Sequence, residues 1–440
     1  MANNPGTCLQ QQGHKEDCKL SHLTINELIG QGHSTLMRFC VIFHAVCFLS
    51  SASQSIAFVS LKLLPHRVRT IVSCTRRDFF HESIAAATGV VSPALWIPSL
   101  PAGAYADTVS SLGGSIDLPP MGLGAWAWGD PIFWGYNPSQ DDELRRVFDY
   151  AVANSKSERT LFDTAELYGL GRSESLLGTF SKDCSDKVAI ATKFAALPFR
   201  LSATDVVKAC EASVERLGRP IDLYQIHFPN AWSNAEYWDG LAMVYDKGLV
   251  KSVGVSNYGS DALRACHTSL SQRGIALATN QIQFSLLYRW PEANGVMDTC
   301  RELNVKVLAY SPLALGFLTG KYNNTHLPDG PRSTLGKQLF QTSDFDNLID
   351  TMKVVASHHD GATVSQVAIN WARAKGTIPI PGARTISQVQ QNYGALEWNL
   401  SPTDVEALDE AGAKVTTFIT PDKSPFPRED IKTHLKMFDS

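Results

Sequence analysis

The sequence from residue 107 onward predicts a single-domain (β/α)8 barrel of the TIM type. Short β-rich runs alternate with segments of helical spacing, and this alternation is typical of a parallel sheet covered by helices. The length from residue 107 to residue 440 also suits eight such units, because these barrels take ~250 residues plus insertions. Together the rhythm and the length favour a closed barrel.

The strands are predicted in chain order. The first is GLGAWAW, residues 122–128, and seven more follow at 160–163, 188–193, 221–227, 251–255, 278–284, 305–310 and 377–380. Between them apolar residues recur at helical intervals, as in residues 202–218, where Gly218 is placed to end the helix. The alternative is an open doubly wound sheet. That fold needs a glycine-rich fingerprint after its first strand, and GLGAWAW lacks the third glycine of that fingerprint and a following helix.

Composition excludes several classes of function. The formal net charge is -4, and 44% of the residues are apolar, so a broad basic surface for nucleic acid is not expected. The nine cysteines show neither CxxC nor CxxH spacing, so we predict no metal site. The oligomeric state is left open.

Residues 1–106 are predicted to be a targeting region that is removed from the mature protein. An apolar run free of Asp, Glu, Lys and Arg (39–61) precedes a basic stretch, and Ser55–Phe58 resembles a cleavage signal of plastid proteins. Arg76 and Arg77 then precede an uncharged run that ends in an A-x-A cleavage pattern. Three prolines interrupt this run, which argues against a stable membrane span in the mature protein. We therefore expect a plastid protein, in the stroma or the thylakoid lumen; a single long transit peptide is the alternative.

Four polar side chains follow apolar strands. Asp163, Lys193 and His227 end the second, third and fourth strands, and Tyr168 lies in the loop after the second. Each has an ordinary structural explanation, such as a helix N-cap for Asp163. Because active sites of these barrels lie at the carboxyl ends of the strands, all four are expected to meet at one rim.

Together the four residues predict a proton donor. A tyrosine hydroxyl, with a pKa of about 10, is a weak acid at neutral pH, and a nearby ammonium lowers that pKa. A buried lysine needs a carboxylate partner to remain charged, which Asp163 supplies. His227 is placed to orient a carbonyl oxygen toward Tyr168.

The segments FDTAELYG, ATKFA, DLYQIH and GVSN resemble the aldo-keto reductases, and the resemblance spans residues 119 to about 412. It implies that Asp163, Tyr168, Lys193 and His227 are the catalytic tetrad of that family. It further implies NADPH-dependent reduction of an aldehyde or ketone to an alcohol. The expected organisation is a targeting region (1–106) followed by the reductase barrel with a C-terminal tail (107–440).

The resemblance also implies a cofactor site without a glycine-rich dinucleotide fold. Ser256, Asn257 and Gln281 match residues that hold the nicotinamide carboxamide, and Tyr310 matches the aromatic that stacks on the ring. The loop over the pyrophosphate is expected to include Ser311, Leu313, Gly316 and Lys321. The adenosine end and its 2′-phosphate are assigned to Gly382, Ala383, Arg384, Gln388, Gln391 and Asn392. Gln391 departs from the family, in which many members have glutamate.

An aromatic rim favours an apolar or flat carbonyl substrate. The residues expected to line the pocket are Trp126, Trp128, Phe228 and Trp232. Two other functions remain open at this stage. The first is a cofactor-binding, redox-sensing subunit with very slow turnover. The second is a lyase in which Lys193 forms a Schiff base, against which the nearby Asp163 argues.

Overall fold

The structure is a computed structural model that describes residues 110–112, 116–230 and 232–415. Eight parallel strands form a nearly closed barrel, in chain order around the sheet. The strands are β3 (Leu123–Gly124), β4 (Thr160–Asp163), β5 (Val188–Phe194), β6 (Ile221–Ile226), β7 (Val250–Ser256), β8 (Leu277–Gln283), β9 (Lys306–Tyr310) and β10 (Ile378–Ile380). A short antiparallel hairpin precedes them, made of β1 (Ser110–Leu112) and β2 (Ile116–Leu118). The predicted barrel is confirmed.

Helices alternate with the strands. They are α1 (Asp141–Ala153), α2 (Arg172–Ser181), α3 (Ala203–Leu217), α4 (Asn234–Asp246), α5 (Ser260–Ser271), α6 (Trp290–Ala293), α7 (Val296–Glu302), α8 (Arg332–Leu339), α9 (Ser343–Ser357), α10 (Val364–Ala374), α11 (Ile386–Gly394) and α12 (Pro402–Lys414). Helix α3 begins with a capping box from Ser202 and Asp205 and ends at Gly218, whose φ is 67°. Every helix within the described residues is too short or too polar to cross a bilayer.

The first strand is shorter than predicted. Only Leu123 and Gly124 pair with β4, and the chain then turns, with Trp128 N donating to Ala125 O at 2.9 Å. In a continued strand Trp126 and Trp128 would lie on the same face of the sheet. Because the strand ends at Gly124, the two tryptophans do not share one face.

The last strand closes the barrel despite its prolines. The Pro379 and Pro381 carbonyls accept hydrogen bonds from Gly122 N and Gly124 N, each at 3.0 Å. A proline has no backbone N–H to donate, but its carbonyl still accepts. These two hydrogen bonds between β3 and the last strand therefore use proline carbonyls as acceptors. A Cβ on Gly124 would lie 3.0 Å from Ile380 O, so the close approach of the two strands favours glycine.

Small and branched side chains fill the barrel. The buried cluster formed by β2 and the barrel strands contains Leu118, Leu161, Ala189, Ala191, Leu223, Ala278, Leu308 and Ile378. A second, larger apolar layer lies between the strands and the helices and includes Phe148, Phe162 and Trp371. The inner layer fixes which residues on each strand point toward the barrel axis.

An ionic cluster lies at the amino-terminal end of the barrel, away from the predicted site. Asp222 is fully buried, and its carboxylate accepts from Arg159 at 2.7 Å, Lys251 at 2.8 Å and Arg219 at 3.0 Å. Ile190 N donates to the same carboxylate at 2.9 Å. Asp222 thereby joins residues at the beginnings of β4, β5, β6 and β7.

Replacing Asp222 with asparagine should lower the free energy of unfolding by about 2–3 kcal/mol. Breaking a buried ion pair costs ~3–5 kcal/mol, and the loss is smaller here because the three cations remain partly in water. Urea unfolding measures the change. Asp239→Asn is the control, since its exposed pair with Arg273 should contribute less than about 1 kcal/mol. Equal effects of the two substitutions would contradict the role of the cluster.

Candidate active site

The alternation of side chains along the strands delivers polar groups to the mouth of the barrel. Leu161, Ala191 and Leu308 belong to the inner layer, so the residues two positions further along the same strands also face inward. These residues are Asp163, Lys193 and Tyr310. Each stands at the carboxyl end of its strand, where the barrel opens.

Asp163 and Lys193 form a buried ion pair. Lys193 Nζ lies 2.6 Å from Asp163 Oδ1 and 2.7 Å from Thr164 O, and the lysine side chain is fully buried. The second oxygen of Asp163 accepts from Gln281 Nε2 at 2.7 Å. Burial lowers the pKa of Lys193, and the carboxylate of Asp163 partly offsets that effect.

Tyr168 is presented by a tight turn. The 3-10 segment Tyr168–Gly171 follows β4, and Tyr168 N donates to Ala165 O at 3.0 Å. Gly169 has a φ of 57°, and a Cβ there would lie 2.1 Å from Gly129 O. Only glycine fits at this contact between two backbones.

The rings and charges predicted to act with Tyr168 surround it. Lys193 Nζ lies 5.1 Å from the centroid of the Tyr168 ring, and the His227 ring lies 6.0 Å away, edge to face. The Trp126 ring stacks on the other side, also at 6.0 Å. The structure therefore brings all four residues of the predicted tetrad together.

The electrostatics of Tyr168 differ from the sequence expectation. Burial raises the pKa of Tyr168 well above its ordinary value, and the negative charges of Asp163 and Asp130 raise it further. The expected lowering by Lys193 does not dominate because that ammonium is committed to Asp163. The Tyr168 hydroxyl therefore keeps its proton at neutral pH.

The residues matched to the nicotinamide form one hydrogen-bonded group. Ser256 Oγ donates to Gln281 O at 2.8 Å, and Tyr310 OH donates to Asn257 Oδ1 at 2.9 Å. Asn257 Nδ2 donates to the backbone carbonyl of His227 at 3.1 Å, and its φ is 60°. Since Gln281 also holds Asp163, this group is joined directly to the ion pair.

The loop after β9 has an unusual backbone. Ser311, Ala314, Leu315 and Gly316 have positive φ values of 52°, 47°, 60° and 95°. Three of these residues carry side chains in a region that L-residues rarely adopt, which marks the loop as strained. Leu313 is half-buried within it, and Lys321, beyond its end, is exposed.

Two arginines converge on Trp134. The Arg332 guanidinium lies 4.9 Å and the Arg384 guanidinium 5.7 Å from the Trp134 ring centroid. Within the described residues neither forms a salt bridge, and Arg332 Nε is buried without a hydrogen-bond partner. Burial, together with the charge of Arg332, lowers the pKa of Arg384. Two neighbouring cations without a carboxylate form a site for an anion.

The sequence interpretation included Arg384 and missed Arg332. Arg384 follows a strand, as the other site residues do, whereas Arg332 opens α8 in the long connection between β9 and β10. No periodic spacing in the sequence indicates that this connection reaches the mouth of the barrel. Only the tertiary structure places the two guanidiniums together.

The segment before α11 and the helix itself carry the other residues matched to the adenosine. Arg384 N donates to Gln388 Oε1 at 2.7 Å, and Asn392 Nδ2 donates to Gly382 O at 3.4 Å. Gly382, Gln388 and Gln391 are exposed, while the remaining members of the set, Ala383 and Asn392, are buried.

The aromatic residues divide into rim and core. Trp126 and Phe228 are half-buried at the mouth, where Phe228 stacks on His227 at 4.2 Å, and Trp232 is 76% exposed. Trp128 differs from the expectation. It is 1% exposed, packs on Phe162, and donates through Nε1 to Ala383 O at 2.7 Å, so it has no face for a substrate.

Comparisons with known proteins agree with this geometry. Residues 120–413 match the model of the Aldo/keto reductase family. The chain is 43% identical over 317 residues to the chloroplastic pyridoxal reductase of Arabidopsis thaliana, a match that covers 68% of this chain and 84% of the relative.

Solved structures give the same result for the fold. The glycerol dehydrogenase of Gluconobacter oxydans is 27% identical, with a TM-score of 0.62, and the match covers 72% of this chain and 98% of that chain. An aldo/keto reductase of Klebsiella pneumoniae in complex with NADP and acetate is 24% identical, with a TM-score of 0.56, and the match covers 71% of this chain and 98% of that one. This last likeness concerns the fold alone.

The family model spans well over half of the chain, and the Arabidopsis relative matches more than two thirds of it. The resemblance drawn from the sequence motifs is confirmed. The chain is an oxidoreductase that belongs to the aldo/keto reductase family.

Proposed function

We propose that this protein reduces an aldehyde or ketone to an alcohol with NADPH, and that Tyr168 is the general acid. The observation that carries the proposal is the arrangement at the mouth of the barrel, where Tyr168 lies between the Lys193 ammonium and the His227 ring. A protonated hydroxyl in this position can donate to the oxygen of a bound carbonyl group.

Each residue of the tetrad has a distinct task in this proposal. When bound, NADPH would supply the hydride that reduces the carbonyl carbon. Tyr168 donates its proton to the carbonyl oxygen, and His227 orients that oxygen by a hydrogen bond. Lys193 stabilises the phenolate that remains on Tyr168, and Asp163 keeps Lys193 charged and in place. Gln281 holds Asp163 from the side that faces the proposed nicotinamide site.

NADPH is proposed because aldo/keto reductases use NADP(H) and because the anion site fits its phosphates. Arg332 and Arg384 lack carboxylate partners among the described residues, and the orphaned Arg332 Nε is a free donor. The amino terminus of α11 lies beside Arg384 and adds to the attraction for a phosphate. We assign the nicotinamide to Ser256, Asn257, Gln281 and Tyr310, and the pyrophosphate to the loop that contains Ser311, Leu313 and Gly316, with Lys321 beyond it.

A flat aromatic aldehyde is the proposed substrate class. Phe228 and Trp232 provide ring surface at the mouth beside the half-buried Trp126, and aromatic rings pack on planar ligands. The chloroplastic relative is named a pyridoxal reductase, and pyridoxal is such an aldehyde. Pyridoxal is therefore the first compound to test. Rapid NADPH oxidation in its presence supports an enzyme, whereas tight NADPH binding with very slow turnover would favour the redox-sensing alternative.

Tyr168→Phe should lower kcat for pyridoxal reduction by about 10²–10⁴-fold while NADPH binding is retained. The substitution removes the proposed acid and keeps the ring that packs on Trp126. Turnover is followed by NADPH absorbance and binding by NADPH fluorescence. Tyr245→Phe, at a half-buried position near the end of α4, is the control for loss of a hydroxyl. Wild-type turnover in Tyr168→Phe would refute the mechanism.

Arg384→Ala should weaken NADPH binding by about ten- to a hundredfold and NADH binding much less. A charge-assisted hydrogen bond is worth ~1.5–3 kcal/mol, and NADH has no 2′-phosphate to form it. Fluorescence titration with both cofactors measures the difference, and Arg301→Ala, at an exposed pair on α7, is the control. Equal weakening of NADPH and NADH would place the 2′-phosphate elsewhere.

We also propose that the mature protein lies in a plastid and begins near Asp107. The ordered signals in residues 1–106 and the chloroplastic relative support this proposal, although those residues and the C-terminal tail from 416 to 440 lie outside the described part of the chain. Amino-terminal sequencing of the protein from isolated plastids is the test. A terminus near Asp107 supports export to the lumen, one between Phe58 and Arg76 supports the stroma, and an intact Met1 would refute targeting.

A further inference from the structure

Asp130 lies at the mouth of the barrel and was not part of the predicted site. It follows β3, in the loop that carries the aromatic rim. Its Oδ1 accepts from Ile132 N at 2.9 Å and from Phe133 N at 3.0 Å, and its Oδ2 accepts from Trp126 Nε1 at 2.9 Å. One carboxylate thus folds the loop and holds the indole of Trp126.

Trp126 contacts both Asp130 and Tyr168 and so links the two residues. Its ring stacks on Phe133 at 4.9 Å and on Tyr168 at 6.0 Å, and the ring of Trp134 meets its edge at 5.6 Å. The indole therefore lies between the carboxylate of Asp130 and the ring of Tyr168. Because Trp126 is half-buried, its position defines one wall beside the tyrosine.

The titratable groups around Tyr168 come from four parts of the barrel. Asp163 ends β4, Lys193 lies on β5, His227 follows β6, and Asp130 lies in the loop after β3. The charges of Asp163 and Lys193 form a pair with each other. Asp130, in contrast, accepts only from uncharged N–H groups among its described contacts, so its negative charge acts on Tyr168 without a paired cation.

We infer that Asp130 is a positioning residue, which fixes the indole of Trp126 against Tyr168 and places a negative charge without a paired cation near the proposed acid. The inference rests on the proposed role of Tyr168 as general acid. Burial, Asp163 and Asp130, in that order, raise the pKa of Tyr168, which agrees with this role. The sign follows from electrostatics, since a nearby negative charge disfavours the phenolate.

Two substitutions separate the charge from the placement. Asp130→Asn removes the charge but keeps an amide oxygen that can accept from Ile132 N and Phe133 N. Its NH2 group cannot accept from Trp126 Nε1, so the indole hydrogen bond is lost in both variants and only Asp130→Asn also loses the charge. Trp126→Phe keeps the charge of Asp130 and an aromatic ring but removes the indole N–H. Asp142→Asn, an exposed acid in the first turn of α1, is the matched control for the loss of one negative charge.

The measurements are pH profiles of pyridoxal reduction with NADPH and of pyridoxine oxidation with NADP+, each resolved into kcat and KM. Asp130→Asn should move both profiles to lower pH by about half a unit or more, because an unpaired charge near an enclosed group shifts its pKa on this scale. Trp126→Phe should raise KM several-fold and leave the profiles in place. Asp142→Asn should match the wild type.

Two results would overturn the inference. Asp130→Asn with wild-type profiles would show that its charge does not act on Tyr168, and a shift in Trp126→Phe as large as that in Asp130→Asn would assign the effect to ring placement. Tyr168→Phe is measured alongside. If it retains wild-type turnover, the proposed mechanism fails, whereas an inactive Tyr168→Phe beside an unshifted Asp130→Asn refutes the role of Asp130 alone.

Discussion

The site depends on the buried ion pair between Lys193 and Asp163. A fully buried ammonium is costly unless its donors find acceptors, and here the Asp163 carboxylate and the Thr164 carbonyl accept from two of its three N–H groups. The second oxygen of Asp163 is occupied by Gln281, which belongs to a strand on the other side of the barrel. Three strands are thereby tied together at the level where chemistry is proposed. The pair is rigid because movement of any partner would leave a charge unsatisfied.

Stability and chemistry are separated along the barrel axis. At the amino-terminal end, Asp222 gathers three cations into a cluster that joins four strands. Between the two ends lies an inner layer of alanine, leucine and isoleucine side chains. Residues at the lower end can therefore hold the strands in register without perturbing the charges around Tyr168.

The strands and the meeting of Asp163, Tyr168, Lys193 and His227 at one rim could be predicted because both follow local rules. Leu161 and Asp163 share one face of a strand through simple alternation, and a polar residue after an apolar run identifies the end of that strand. Trp128 was misplaced because GLGAWAW alternates like a strand, while tertiary packing ends β3 at Gly124. Arg332 and Asp130 were missed for another reason. Both lie in connections, where no periodicity relates a residue to the mouth of the barrel.

The contact between Gly169 and Gly129 has a consequence for how the two loops can change. No side chain fits between their backbones, so the loop with the aromatic rim and the turn with Tyr168 touch directly. An insertion or a shift in one loop must displace the other. Substrate preference, which the rim would set, and proton donation, which the turn would perform, are therefore mechanically coupled. Over evolutionary time, new substrates should be accommodated by exchanging side chains on a fixed loop backbone, since remodelling that backbone would displace the acid.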